Sequence, residues 1–211
     1  MIHTLSNLFT RRAATAVRGV QALLSAEPDR GATQTPQRKG DRWRDHTTPE
    51  NAGEQAWDLV ADEGALRAEG AGILHLFGAV FDIDGDPIAG AGVEIWQCDL
   101  AGSYVHDRDP ATRTGPKPFR GFGRVVTGAD GSYRFRTILP VAYPGRAPHI
   151  HARIIRPGGQ ERTTEIYLLD APGNARDWAY QSLGKIGQAA SSIDPVSDGG
   201  GDLWAGFNVV V

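Results

Sequence analysis

GRVVTGADGSYRFRTIL, residues 123–139, is the stretch whose reading decides the fold class. It reads as a strand, a Gly-Ala-Asp-Gly turn and a second strand, and this order predicts a β-hairpin. The same grammar recurs on both sides. Upstream, ILHLFGAVFDI (73–83) alternates in part and DIDGDPIAG (82–90) is a turn cluster. AGVEIWQCDL (91–100) then resumes strand spacing, with Val93, Ile95 and Gln97 on one face and Glu94, Trp96 and Cys98 on the other. Downstream, HIHARII (149–155) and TTEIYLL (163–169) read as strands, GNARDWAYQSLG (173–184) as a helical segment, and WAGFNVVV (204–211) as a closing strand. Short strands separated by Gly, Pro and Asp clusters predict an all-β fold, an antiparallel β-sandwich with long loops.

Composition agrees. The 211 residues include 27 glycines and 13 prolines, and 40% are apolar. A net charge of −3 gives no electrostatic footprint for nucleic acid, and a single cysteine excludes an intramolecular disulfide or a cysteine-based zinc cluster. No apolar run reaches the roughly 18 residues that span a membrane. The chain divides into a first part, 1–70, of a short helix and connecting arm, and a second part, 71–211, that carries the β-domain. Leu8, Ala13, Ala16, Val17, Val20, Leu23 and Leu24 recur at helical spacing. Arg11 and Arg12 ahead of them weakly resemble a twin-arginine export signal, but Arg18 interrupts the apolar stretch and no clean cleavage site follows. A cytoplasmic protein is therefore expected, with export as the alternative. Residues 27–45 read as a polar, basic arm, and PENAGEQAWDLV (49–60) as a candidate turn of helix.

ILPVAYPGRAPHIHARI (138–154) concentrates chemistry where a turn enters a strand: Tyr143, Arg146, His149 and His151 lie within nine positions. Strand side chains alternate, so His149 and His151 share a face about 6–7 Å apart, and two imidazoles can converge on one ion. Taken alone, an H-x-H is as well explained by a solvated polar face. No cysteine or carboxylate lies in the stretch, which leaves tyrosine as the unusual donor available. A phenol ionises near pH 10 on its own, and a trivalent cation supplies the difference. Tyr104 lies in the long loop over 101–122. Two phenolates and two imidazoles would leave a single Fe(III) with net charge +1 and room for an exogenous ligand.

VEIWQCDLAGSYVHDRD (93–109), FRGFGRVVTGADGSYRFRTILP (119–140), YPGRAPHIHARIIRPGG (143–159) and RTTEIYLLDAPGNARD (162–177), in that order, resemble the intradiol ring-cleavage dioxygenases, nearest the protocatechuate 3,4-dioxygenase branch. The resemblance spans residues 74–183. It implies four Fe(III) ligands, Tyr104, Tyr143, His149 and His151, one iron per chain, and oxygen-dependent opening of a catechol-type diol between its hydroxylated carbons to a muconate-type diacid. It implies that Tyr143 yields its place to the diol and takes up a substrate proton. Arg146 would sit beside the ring and stabilise developing negative charge, and being always protonated it cannot be the base. Trp96, Gln97 and Glu165 are the expected substrate-binding residues with Arg146, although an indole such as Trp96 is also ordinary core. The family often assembles into oligomers, which makes the N-terminal helix and arm the candidate surface for a homo-oligomer. Two departures bear on the substrate. The arm carries Arg38, Lys39, Arg42 and Arg44 where members often have a Thr-Glu-Gly-Pro-Phe-Tyr type segment, and Glu165 stands where most have glutamine. A carboxylate near a dianionic substrate is unfavourable unless it is paired or protonated. The basic arm suits either an acidic substituent or plain solubility. Part of the chain also resembles transthyretin-like or carboxypeptidase-regulatory-like binding modules, which have no physical reason to carry Tyr104, Tyr143 and H-x-H together. An iron-binding relative without turnover is the other alternative.

Overall fold

The computed structural model describes residues 35–36, 56–104 and 117–211, and the elements below lie within them. The strands are β1 (Ile73–Phe81), β2 (Gly92–Trp96), β3 (Phe122–Val126), β4 (Ser132–Ile138), β5 (His149–Ile155), β6 (Glu161–Leu168), β7 (Ser192–Ile193), β8 (Val196–Ser197), β9 (Asp202–Gly206) and β10 (Val209–Val210). Three short helices accompany them: α1 (Glu63–Ala68), α2 (Trp178–Gln181) and α3 (Gly184–Ala190). The helix expected near the N-terminus and the basic arm at 38–44 lie outside the described residues.

Two five-stranded sheets form. In the first, β1 is flanked by β4 on one edge and by β9 and β10 on the other, with β8 beyond β9; the second runs β3-β2-β5-β6-β7. Both are mixed. β1 pairs in parallel with β9 and β10, and β6 in parallel with β7. This corrects the purely antiparallel expectation: the chain returns to β1 from the C-terminal side through a long crossover, which a sequence read strand by strand does not reveal.

The hairpin expected over 123–139 is also corrected. Its turn closes as read, with Gly128 and Ser132 hydrogen-bonded. Beyond the turn, however, β3 joins β2 in the second sheet and β4 joins β1 in the first. The segment is an arch between sheets. Val125 and Phe135 thereby meet in one buried cluster, where a flat hairpin would have left each to find separate cover. The turn cluster at 82–90 is a second arch, with Asp82 Oδ1 accepting from the amides of Asp84 and Asp86.

Leu74, Leu76, Phe135, Ile95, Ile150 and Ile154 from both sheets share one core cluster. Fully burying such a side chain is worth about 1.5–3 kcal/mol, so the cluster makes a stiff platform for the loops. Gly78 allows the closest packing in it: a Cβ there would lie 2.0 Å from the carbonyl oxygen of Phe207, to which Tyr133 donates its hydroxyl. Leu59 and Leu66 also lie in this cluster. Residues 56–60 are extended, bridging Arg124, Arg136 and Phe119, while 49–55 of the expected helical turn lie outside the described residues.

Candidate metal centre

Register builds the site. His151 lies between Trp96 on β2 and Glu165 on β6, and His149 lies beside Tyr167. Because strand side chains alternate, the intervening Ile150 and Ala152 enter the core while the histidines face outward from the second sheet. A slip of one residue would exchange the two sets, so core packing fixes where the imidazoles point. Here the outer face is covered: His149 and His151 are each 1% exposed.

Tyr143 and Arg146 are set by the turn between them. The Arg146 amide donates to the Tyr143 carbonyl at 2.9 Å, and Gly145 has φ of +81°. Pro144 and Gly145 thus occupy the two central positions of a type II turn, the second of which calls for glycine. The two side chains come back together, with Arg146 Nη1 donating to the Tyr143 hydroxyl at 3.3 Å. Tyr104 approaches from its own loop and meets the Tyr143 ring edge-on, at 5.7 Å between centroids.

The donors converge. His149 Nε2 and His151 Nε2 are 3.2 Å apart, and the Tyr104 hydroxyl is 3.2 Å from the same His151 nitrogen. The Tyr143 ring is 5.4 Å from that of His149. His149 Nδ1 sits 2.7 Å from the Ala147 carbonyl, an acceptor that assigns the proton to Nδ1 and leaves a lone pair on Nε2. Burial, followed by the Arg146 charge, pushes the His149 pKa down and favours the neutral ring that a metal needs. Nitrogens about 2.1 Å from one ion at near-right angles sit about 3 Å apart, which matches this pair. Burial raises the pKa of Tyr104, assisted by neighbouring Tyr143, and burial likewise raises that of Tyr143. Both phenols stay protonated at neutral pH until a cation compensates their charge. The donor set therefore fits a hard, highly charged ion.

A carboxylate lies one strand away, where the linear stretch hid it. His149, His151 and Glu165 can offer atoms that all lie within 4.8 Å of one another. Glu165 nevertheless faces Nδ1 of His151, at 3.7 Å, rather than the Nε2 atoms that converge. Its oxygens are engaged elsewhere: Oε1 pairs with Arg146 Nη2 at 2.9 Å, and Oε2 accepts from the Tyr167 hydroxyl. The paired state that a carboxylate here requires is met.

Arg146 is the hub of this surround. Its Nε donates to Asp177 at 3.0 Å and its Nη2 to Tyr167 at 3.2 Å, and its guanidinium lies 5.9 Å from the Trp178 ring. Burial opposes the charge, but Glu165, Tyr143 and Tyr167, in that order, together outweigh it and the arginine's pKa is raised. Asp177 caps α2 through Oδ1, accepting from the amides of Ala179 and Tyr180, while Oδ2 also receives the Ala147 amide at 2.7 Å. One buried carboxylate thus ties a helix start to the turn that carries Arg146.

Trp96 joins the site from behind, its indole stacked on His151 at 5.0 Å and 4°. Gln97 lies apart from it. It is fully buried on the opposite face, donating to the Ile138 carbonyl and accepting from Thr137, so it links the two sheets. Asp177 and Tyr167 were missed by sequence reasoning. An aspartate just before Trp-Ala-Tyr carries an N-cap signal, and Tyr167 follows Glu165 at the strand period.

A family model described as Dioxygenase matches residues 47–182. A catechol 1,2-dioxygenase of Acinetobacter baylyi is 32% identical over 158 residues, which is 65% of this chain and 50% of the relative. The protocatechuate 3,4-dioxygenase beta chain of Burkholderia cepacia is 38% identical over 112 residues, 49% of this chain and 48% of the relative. The chain thus spans about half the length of these relatives. Among solved structures, the dioxygenase domain of a dioxygenase carbohydrate-binding protein fusion from Streptomyces sp. SirexAA-E superposes with a TM-score of 0.65 at 28% identity, covering 85% of this chain and 98% of that one.

Proposed function

We propose that this chain, which belongs to the intradiol ring-cleavage dioxygenase family, opens a catechol-type diol between its two hydroxylated carbons with dioxygen, giving a muconate-type diacid. The single observation that carries the reading is the convergence of Tyr104, Tyr143, His149 and His151 on one small volume. We assign these four side chains as the holders of one Fe(III) per chain. When bound, that ion would supply the Lewis acidity that draws both diol oxygens into the site and makes the ring reactive toward dioxygen.

The chain's own residues do the rest. His149 stays neutral because it is buried beside Arg146, and its Nδ1–H···Ala147 bond fixes which nitrogen faces the site. Trp96 covers one face of His151 and excludes water from it. Tyr143, on the turn, would accept a proton from a substrate hydroxyl once the bound ion holds it as a phenolate, with Arg146 Nη1 already hydrogen-bonded to that oxygen to steady the charge. Arg146 is held by Asp177, Glu165 and Tyr167 at a fixed place beside the ring, so it needs no reorientation as negative charge develops. Trp96 and Glu165 act on substrate through the groups they hold. No helix among the described residues is long and apolar enough to cross a membrane.

The test is an anaerobic titration of iron-loaded protein with catechols, followed by admission of oxygen. The expected outcome is one iron per chain, a visible tyrosinate-to-iron absorption that shifts on adding catechol, and oxygen uptake matched to diacid formation. Protein that stays colourless after iron is supplied would sink the metal assignment. A colour shift without oxygen uptake would favour an iron-binding relative that does not turn over.

A further inference from the structure

Arg146 is the cation nearest the converging donors among the described residues, and two buried carboxylates already answer it. Glu165 Oε1 lies 2.9 Å from Nη2 and Asp177 Oδ2 lies 3.0 Å from Nε. The Glu165 and Asp177 side chains are 2% and 0% exposed, and Arg146 is 13% exposed. Four of the five guanidinium N–H groups face named partners: one on Nε to Asp177, one on Nη1 to Tyr143, and two on Nη2 to Tyr167 and Glu165. The trio carries one positive and two negative charges. Because both carboxylates are almost wholly buried, that surplus is little screened.

We propose that Glu165 makes this site select catechols whose ring substituents are uncharged and reject those bearing a ring carboxylate. The inference rests on the ring-cleavage reading and deepens it. A diol entering as a dianion already adds negative charge, and Arg146 has little capacity left to receive a carboxylate as well. Glu165 acts through its field and through its grip on Arg146, so it is a specificity-determining residue and touches neither the reacting carbons nor the oxygen. Asp177 contributes to the same surplus, but it also caps α2 and receives the Ala147 amide, so Glu165 is the one that can be changed without unpicking a helix start.

The experiment measures anaerobic dissociation constants for the iron-loaded full chain with three ligands: 4-methylcatechol, 3,4-dihydroxybenzoate and the methyl ester of 3,4-dihydroxybenzoate. The ester keeps the bulk of the acid and removes its charge. The expected result is that the ester binds close to 4-methylcatechol while the acid binds about ten- to thirtyfold more weakly, the scale of one unit charge acting at short range in a partly buried site. In Glu165→Gln, an isosteric change, the acid-to-ester ratio should narrow by a similar factor. Equal affinity for acid and ester in the parent overturns the proposal even if the variant fails to fold. An unchanged ratio in a folded Glu165→Gln overturns it too. Parent protein that holds iron yet binds none of the three overturns the ring-cleavage reading instead.

Discussion

Each sheet carries on its outer face an imidazole set between an indole and a carboxylate, yet only one of the two belongs to a candidate site. On the first sheet His75 stacks on Trp204 at 4.2 Å and 14°, and its Nε2 lies 2.7 Å from Asp202. On the second, His151 stacks on Trp96 at 5.0 Å and 4°, with Glu165 3.7 Å from Nδ1. The local trio is therefore not the signal. Around His75 the chemistry closes on itself: Asp202 is also held by Arg67, which pairs with Glu63, and the group stays partly exposed at 22%. Around His151 the carboxylate takes the far side of the ring, and Nε2 is left to meet a second imidazole and a phenol under full burial. Convergence of several donors on one point, out of water, separates a binding site from a surface ion pair.

The sharpest way to break this comparison is to remove one imidazole from each face. His149→Ala should abolish iron retention, because it deletes one of the two nitrogens that face each other at 3.2 Å. His75→Ala should leave iron content at the parent level. Metal analysis after gel filtration reads both, and loss of iron from His75→Ala would show that the first-sheet trio had been misjudged. Next in size is Arg146→Ala. Removing one preorganised charge-assisted contact costs about 10²–10³-fold in turnover. If the contact matters mainly as charge develops, the anaerobic colour shift with catechol should persist while ring opening slows. Lysine should restore part of the rate, since it keeps the charge without the planar fork.

Short-range spacing made the donors legible and long-range pairing hid what surrounds them. Tyr143, Arg146, His149 and His151 lie within nine residues, so a turn and a strand period were enough to bring them together. The two arches were legible as turns but not as arches, because a Gly-Ala-Asp-Gly turn closes the same way whether its strands stay in one sheet or part into two. The surroundings of Gln97 show the same limit. The strand period puts it opposite Trp96, but only the partner sheet shows that this face meets Thr137 and Ile138. Asp177 lies 31 residues from Arg146, and no local pattern links a helix cap to a guanidinium across that distance.

Asp177 gives the third test, of moderate size. Burial raises its pKa, but the Tyr180 and Ala147 amides and the Arg146 charge outweigh that and leave it lowered. A carboxyl whose pKa is depressed on folding stabilises the protein above its unfolded value, near 3.9, and loses that contribution as pH falls through the lower folded value. Asp177→Asn keeps a capping oxygen but loses the charge, which should cost about 1.5–3 kcal/mol, the worth of hydrogen bonds to a charged group. Denaturation at several pH values should show the full difference above about pH 5 and a shrinking one in stronger acid. A difference independent of pH would mean that shape, not charge, holds Arg146.

The smallest expected effect returns to the first sheet. His75→Phe keeps an aromatic ring against Trp204 and removes the bond to Asp202. Burial raises the Asp202 pKa, while His75 and then Arg67 outweigh it and lower it. With both partners about a fifth exposed, solvent screens the pair, and removing it should cost less than about 1 kcal/mol. Since the lowered pKa stabilises the fold only above the ordinary carboxyl range, the loss should be seen near neutrality and fade as pH falls below about 4. Added salt should shrink the part that comes from the Asp202 charge, because a partly exposed charge is screened within about 10 Å at 0.1 M. Iron content and the visible spectrum should match the parent at every salt concentration. If His75→Phe moved the visible band, the two faces would be coupled through the shared core, and the contrast between a closed ion pair and an open donor cluster would fail.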